Sequence, residues 1–222
     1  MDPSSLTFAP ALRALGLAAA LGILAVAAAK ARWSRFKGEE VTHVYLGSVL
    51  FLVVLWSIRT TLAGAPPLHL LGVGALCLSA GPALALVGGA LVVVVTTAVQ
   101  GAPLANAGLA FVVQVAVPVA VQHGALLASQ RALPRNPFAY FFAVAFAGGA
   151  ASFFAAAIAG RGLALAAGLG GAGAVTDGDY AVLALLLSFG EATLTGMLIT
   201  LAVVYRPGWV ATFDDARYLR EG

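Results

Sequence analysis

Apolar residues in this chain come in long blocks, separated by short charged, glycine-rich or proline-rich breaks. The blocks cover 8–29, 43–64, 67–80, 83–100, 104–128, 137–160 and 180–205. Most approach the roughly 20 apolar residues a helix needs to cross a hydrocarbon core about 30 Å thick. The stretch from Leu68 to Val99 is the most informative, because it has no charge and is broken by Gly81-Pro82. As one straight helix it would be about 48 Å long, too long for a single crossing. It therefore counts as two short spans of about 21–27 Å each, or as one bent helix.

The basic loops choose between these counts. Lys30 to Glu40 is the strongest basic loop; Arg131 with Arg135, and Arg206 with Arg217 and Arg220, form the others. With seven spans all three fall on one side, which the positive-inside rule makes cytoplasmic. With six, Arg131 and Arg135 move outside. The expectation is an all-α polytopic membrane bundle of about seven helices (six as the alternative), N-terminus out and C-terminus in.

Composition agrees with a multi-pass membrane protein. Hydrophobic residues make up 61% and charged residues 9% of the 222, and mean hydropathy is +0.99; soluble domains carry about 25% charge. A net charge of +3 reflects loop residues that set orientation, not a nucleic-acid surface. The single cysteine, Cys77, forms no intrachain disulfide. The first block could pass for a cleaved signal peptide, but cleavage after Ala27-Ala28-Ala29 would export Lys30, Arg32, Arg35 and Lys37, so it is read as a retained span. Residues 1–222 are expected to form one membrane-embedded domain, with 206–222 a short cytoplasmic interfacial tail that Thr212 and Asp215 would cap as a helix. Gly160 to Gly178 reads as a glycine-rich outer loop.

Ionisable residues inside spans are costly and are functional candidates by default. His69 follows Pro66-Pro67 at the outer end of the third block, where a neutral imidazole suits Ni, Co, Cu or Zn; its structural alternative is an interfacial bond to a loop carbonyl. Arg59 either snorkels to the outer headgroups or pairs with Glu191 or an outer aspartate. Glu191 has no basic neighbour at helical spacing, so its partner comes from another helix. It is either protonated glue between helices or a station for ion passage. Gln114, Pro118 and Gln122 form a polar stripe with a kink, and interhelical hydrogen bonds are the simpler role for the glutamines. His123 points elsewhere, in the cytoplasmic half. No P-loop, H-E-x-x-H, G-x-S-x-G or structural-metal cluster occurs, so neither an enzyme nor a nucleotide-binding chain is indicated.

Leu68-His69-Leu70-Leu71-Gly72, Gly81-Pro82, Gln100-Gly101 and Leu104-Ala105-Asn106-Ala107-Gly108 occur in that order. Gly190-Glu191-Ala192-Thr193-Leu194-Thr195-Gly196, running into Tyr205-Arg206-Pro207, follows. Together they resemble the cobalt/nickel-specific membrane subunit of energy-coupling factor transporters, the CbiM/NikM type. The resemblance implies an outside N-terminus and a divalent ion near the outer face. The ion would be held by the N-terminal amine, a second-position His and a His in the Leu-Leu-Gly context of His69. It also implies separate ATPase and coupling subunits in the bacterial inner membrane. This chain departs at the start: Met1-Asp2-Pro3 lacks the second-position His, and Pro3 lacks a backbone N–H. Only His69 carries over as a ligand. Asn106 and Glu191 match supporting positions, and Asp177 or Asp179 could complete an oxygen-rich shell. The expected function is uptake of a divalent cobalt-class or nickel-class ion as substrate. The alternatives are a non-transporting assembly protein with the same fold, or a permease for a small organic solute.

Overall fold

Helices form where the apolar blocks predict them, but two ends differ for physical reasons. The computed structural model describes residues 2–6, 8–62, 65–168, 176–214 and 218. Helix α1 spans Pro10–Lys30 and α2 spans Glu39–Ser57. A short hairpin follows, β1 (Thr60–Leu62) against β2 (Ala65–Leu68), antiparallel with Thr60 opposite Leu68. The second span thus stops at Ser57 and not near residue 64. Pro66-Pro67 cannot continue a helix, and Thr60-Thr61 suits extended backbone.

Helix α3 (Val73–Ala80) is followed directly by α4 (Pro82–Val99). Helices α5 (Leu104–Ala132), α6 (Ala139–Ala166) and α7 (Asp177–Tyr205) complete the bundle. Before Pro118, where the sequence predicts a kink, the turn Val112–Ala116 widens into a π-helix. The wider turn, with Val117 N–H bonded to Val112 O, accommodates a proline that has no N–H to donate, and bulges of this kind favour functional positions. Helix α6 opens with a second π stretch, Ala139–Ala147. It runs on to Ala166, so much of the expected glycine-rich loop is helix, and 169–175 lie outside the described residues.

The bundle has seven crossings, although six helices among the described residues are long enough to span alone. Asp2 N–H donates to Pro67 O, and Asn106 donates to Ser4 O and Leu6 O, which gathers the N-terminal segment, the hairpin and the start of α5 at one end. At the opposite end Arg35 donates to Gly208 O, Ala211 N–H to Ser79 O, and Trp209 to Glu40. That second end carries Lys30, Arg32, Arg35, Lys37, Arg131, Arg135 and Arg206, so it is the cytoplasmic end. Leu68–Ala80 therefore runs the whole way between them. Eight helical residues rise only about 12 Å, and the non-helical Leu68–Gly72 supplies the rest.

Two glycines make this third crossing possible. Gly72 has φ +65°, and a side chain there would stand 2.5 Å from Leu52 Cδ2. Gly81 has φ +92° and turns the chain into Pro82, the first residue of α4. Elsewhere small residues let helices touch: a Cβ on Gly108 would lie 2.5 Å from Leu17 N, backbone against backbone between α5 and α1. At the cytoplasmic end Val210, Phe213 and Tyr218 are buried with Tyr140, whose hydroxyl meets Thr212 Oγ1 at 2.7 Å. Thr212 also bonds Leu78 O, which docks this part of the tail on the bundle; Asp215 lies outside the described residues.

Candidate metal centre

Non-helical backbone inside a bilayer must find partners within the protein. The turn before α3 does so through two side chains from other helices. Glu191 of α7 is fully buried, and its carboxylate accepts from Leu71 N at 2.8 Å and Gly72 N at 2.7 Å. Trp56 of α2 donates its indole N–H to Leu71 O at 2.8 Å. The partner expected for Glu191 from another helix is instead a pair of backbone N–H groups in the non-helical turn before α3. The carboxylate fastens the start of α3, where free N–H groups and the helix dipole favour an anion.

The turn so held presents His69. Its ring is 3% exposed and tilts against Trp56, with ring centroids 5.0 Å apart. Nδ1 lies 3.0 Å from Leu70 O, and the neutral tautomer that donates there keeps its lone pair on Nε2. Nε2 faces Gln114 Oε1 at 3.2 Å. The Gln114 amide cannot turn around freely, because its Nε2 donates to Asp2 Oδ1 at 2.8 Å. With the ring proton on Nε2 this contact is a hydrogen bond to Gln114; with the proton on Nδ1 two acceptors face each other, and a cation bound to both can take the proton's place. Ligands at about 2.1 Å and right angles to one another on a metal ion stand about 3 Å apart, so this spacing suits a cation.

Asp2 closes the cluster. Its Oδ1 also accepts from Ser4 N at 2.9 Å, and its Oδ2 pairs with Arg59 Nη1 at 2.9 Å. Burial works to raise the Asp2 pKa. The hydrogen bonds from Ser4 and the neighbouring His69 and Arg59 outweigh it and hold the carboxyl below its usual range. Asn106 pins the same segment by donating to Ser4 O at 2.9 Å and Leu6 O at 2.7 Å.

Several expectations change at this point. Arg59 does not snorkel away and does not meet Glu191; it pairs with Asp2, which lies inside the protein. Gln114 is not helix glue but joins His69 to Asp2, whereas Gln122 does bond across helices, donating to Val144 O at 2.7 Å. Asp177 and Asp179 do not complete a shell around His69. Asp177 pairs with Arg161 at 2.7 Å, and Asp179 forms a capping box with Thr176 at the start of α7. His123 lies in the cytoplasmic half and lines a cleft there. Asp2, seen in the sequence only as a departure, and Trp56 are the members that sequence reasoning missed. Nothing in their spacing marks them, since both arrive by tertiary contact. Among the described residues no three His, Cys, Asp or Glu side chains converge as a metal site.

Comparisons with known proteins agree with this architecture. A crystal structure of a truncated transition metal transporter is similar over 89% of this chain and 96% of that one, with a TM-score of 0.70 and 18% identity. A crystal structure of a transition metal transporter is similar over 87% and 88%, with a TM-score of 0.67 and 19% identity. At such identity the likeness is one of fold. No curated protein matches the sequence. The family model for CbiM, described as the cobalt uptake substrate-specific transmembrane region, matches residues 5–209, and the chain therefore belongs to that family, as a membrane permease subunit of metal uptake.

Proposed function

We propose that this subunit receives a divalent cobalt-class or nickel-class ion at its outer end, with His69 Nε2 as the principal ligand and Gln114 Oε1 beside it. The observation that carries this reading is the 3.2 Å approach of His69 Nε2 to Gln114 Oε1, in a network that also ties in Asp2 of the N-terminal segment. One imidazole among oxygens makes a weaker and harder donor set than an all-nitrogen chelate. The closed packing around the ring supports an ion over an organic solute. Energy would come from separate ATPase and coupling subunits in the bacterial inner membrane, and no catalytic step falls to this chain.

The test is binding of Co(II) and of Ni(II) by purified protein, followed by calorimetry and by the visible bands of cobalt. His69→Ala should abolish binding, and Gln114→Leu should weaken it. Unchanged binding in His69→Ala rejects the assignment. A second reading, an assembly protein that keeps the fold without transport, is favoured by one contact: Arg59 places a guanidinium on Asp2, next to where a cation would sit. Stoichiometric binding of either ion by the unaltered chain speaks against that reading.

A further inference from the structure

A cleft of about 780 Å³ opens at the cytoplasmic end, between the second half of α1, the α3–α4 corner and α6's neighbour α5. Its depth is apolar, with Ile23, Val26, Leu86 and Leu126 among the walls, and its rim carries Lys30, Arg32 and Arg35. No carboxylate lines it, and among the described residues neither Lys30 nor Arg32 forms an ion pair. Arg35 reaches only a carbonyl, Gly208 O at 3.2 Å. Burial and the neighbouring Arg32 charge both lower the Arg35 pKa, as expected where cations gather without a counter-charge. Deeper in, His123 Nδ1 is buried without a hydrogen-bond partner.

The height of the rim is set independently. Trp33 is half exposed and donates its indole N–H to Ala28 O, and Tyr205 at the end of α7 is 75% exposed. Aromatic side chains of this kind sit at the headgroup level. The cations are thus at the depth of lipid phosphates, and the apolar walls are at the depth of acyl chains.

We propose that this cleft binds an anionic phospholipid of the cytoplasmic leaflet, its phosphate held by Lys30, Arg32 and Arg35 and an acyl chain lying along α1. Charge complementarity selects this occupant: a zwitterionic lipid brings its own cation to a rim that already has three, and a bare apolar helix leaves them unpaired. The site is separate from the ion site at the opposite end.

Native mass spectrometry of the delipidated full chain tests it, with equal amounts of phosphatidylglycerol and phosphatidylcholine offered. Phosphatidylglycerol should be retained at least about tenfold over phosphatidylcholine. Lys30→Gln/Arg32→Gln/Arg35→Gln should lose that preference, and Arg131→Gln/Arg135→Gln, outside the cleft, should keep it. Gly22→Phe gives a second test that leaves the charges intact. Gly22 lines the cleft and a Cβ there meets nothing within 4 Å, so a phenyl ring at this position should enter the cleft and displace the lipid. Equal retention of the two lipids, or phosphatidylglycerol kept by both the triple variant and Gly22→Phe, overturns the proposal. So does a cleft filled by a helix of a co-purifying subunit.

Discussion

Replacing Glu191 by Gln tests whether a carboxylate on α7 controls the ion site through the backbone. Both of its oxygens accept N–H groups, from Leu71 at 2.8 Å and Gly72 at 2.7 Å, two and three residues beyond His69. A glutamine keeps the shape but turns an NH2 towards one of those donors. One hydrogen bond to a charged acceptor, about 1.5–3 kcal/mol, is lost, and one buried N–H is left without a partner. Removing a buried charge that has no cation offsets part of this, so global stability should fall by only about 1–2 kcal/mol. The local loss falls on the turn that aims His69. Co(II) binding should weaken by roughly ten- to a hundredfold, equivalent to about 1.4–2.8 kcal/mol. Calorimetry reads the affinity, and circular dichroism melting reads the fold. Trp56→Phe removes the other tether of the same turn, the bond to Leu71 O. The two changes should be non-additive in a double-mutant cycle, which a general loss of stability would not produce. A Kd within twofold of the unaltered protein in Glu191→Gln refutes the reasoning.

Other outcomes follow from the same contacts. Gly72→Ala places a side chain at φ +65° and 2.5 Å from Leu52 Cδ2, so thermal stability should drop by about 2–3 kcal/mol and Co(II) binding with it. Asp2→Asn should destabilise the detergent-solubilised protein at neutral pH. The folded pKa of Asp2 lies below 3.8, so its stabilisation is present above that value and is lost as pH falls through the folded pKa; the gap in melting temperature between Asp2→Asn and the unaltered chain should close below about pH 3.8. A gap that persists into acid contradicts this. Gly108→Val should push α1 off α5, since a Cβ there already meets Leu17 N at 2.5 Å; a melting temperature unchanged from the unaltered protein would contradict that close packing. Alkaline phosphatase fused after Arg131 should be inactive and green fluorescent protein fused there should fluoresce; the reverse result would undo the seven-crossing topology.

The chain's own pattern already determined the membrane class, the positions of the long helices and the parity of crossings. Hydrophobic length and loop charge are local quantities, and each block answers to the bilayer almost independently. The break at Gly81-Pro82 was legible for the same reason, because proline and glycine act on their own backbone. His69 could be singled out since an imidazole beside two prolines in an apolar run is costly unless used. The partners of His69 were not legible. Asp2, Trp56, Gln114 and Glu191 lie far apart in sequence; Gln114 links His69 to Asp2, and Trp56 and Glu191 converge on the Leu71–Gly72 turn because the third crossing is half unwound. Its exposed backbone groups draw polar side chains from α2 and α7, and which helix supplies them depends on packing. The same holds for Arg59, whose charge is visible in the sequence but whose counter-ion comes from the N-terminal segment folded back between helices. Tertiary structure also decided that Asp177 and Asp179 serve the start of α7, because an ion pair with Arg161 and a helix cap satisfy them where they stand.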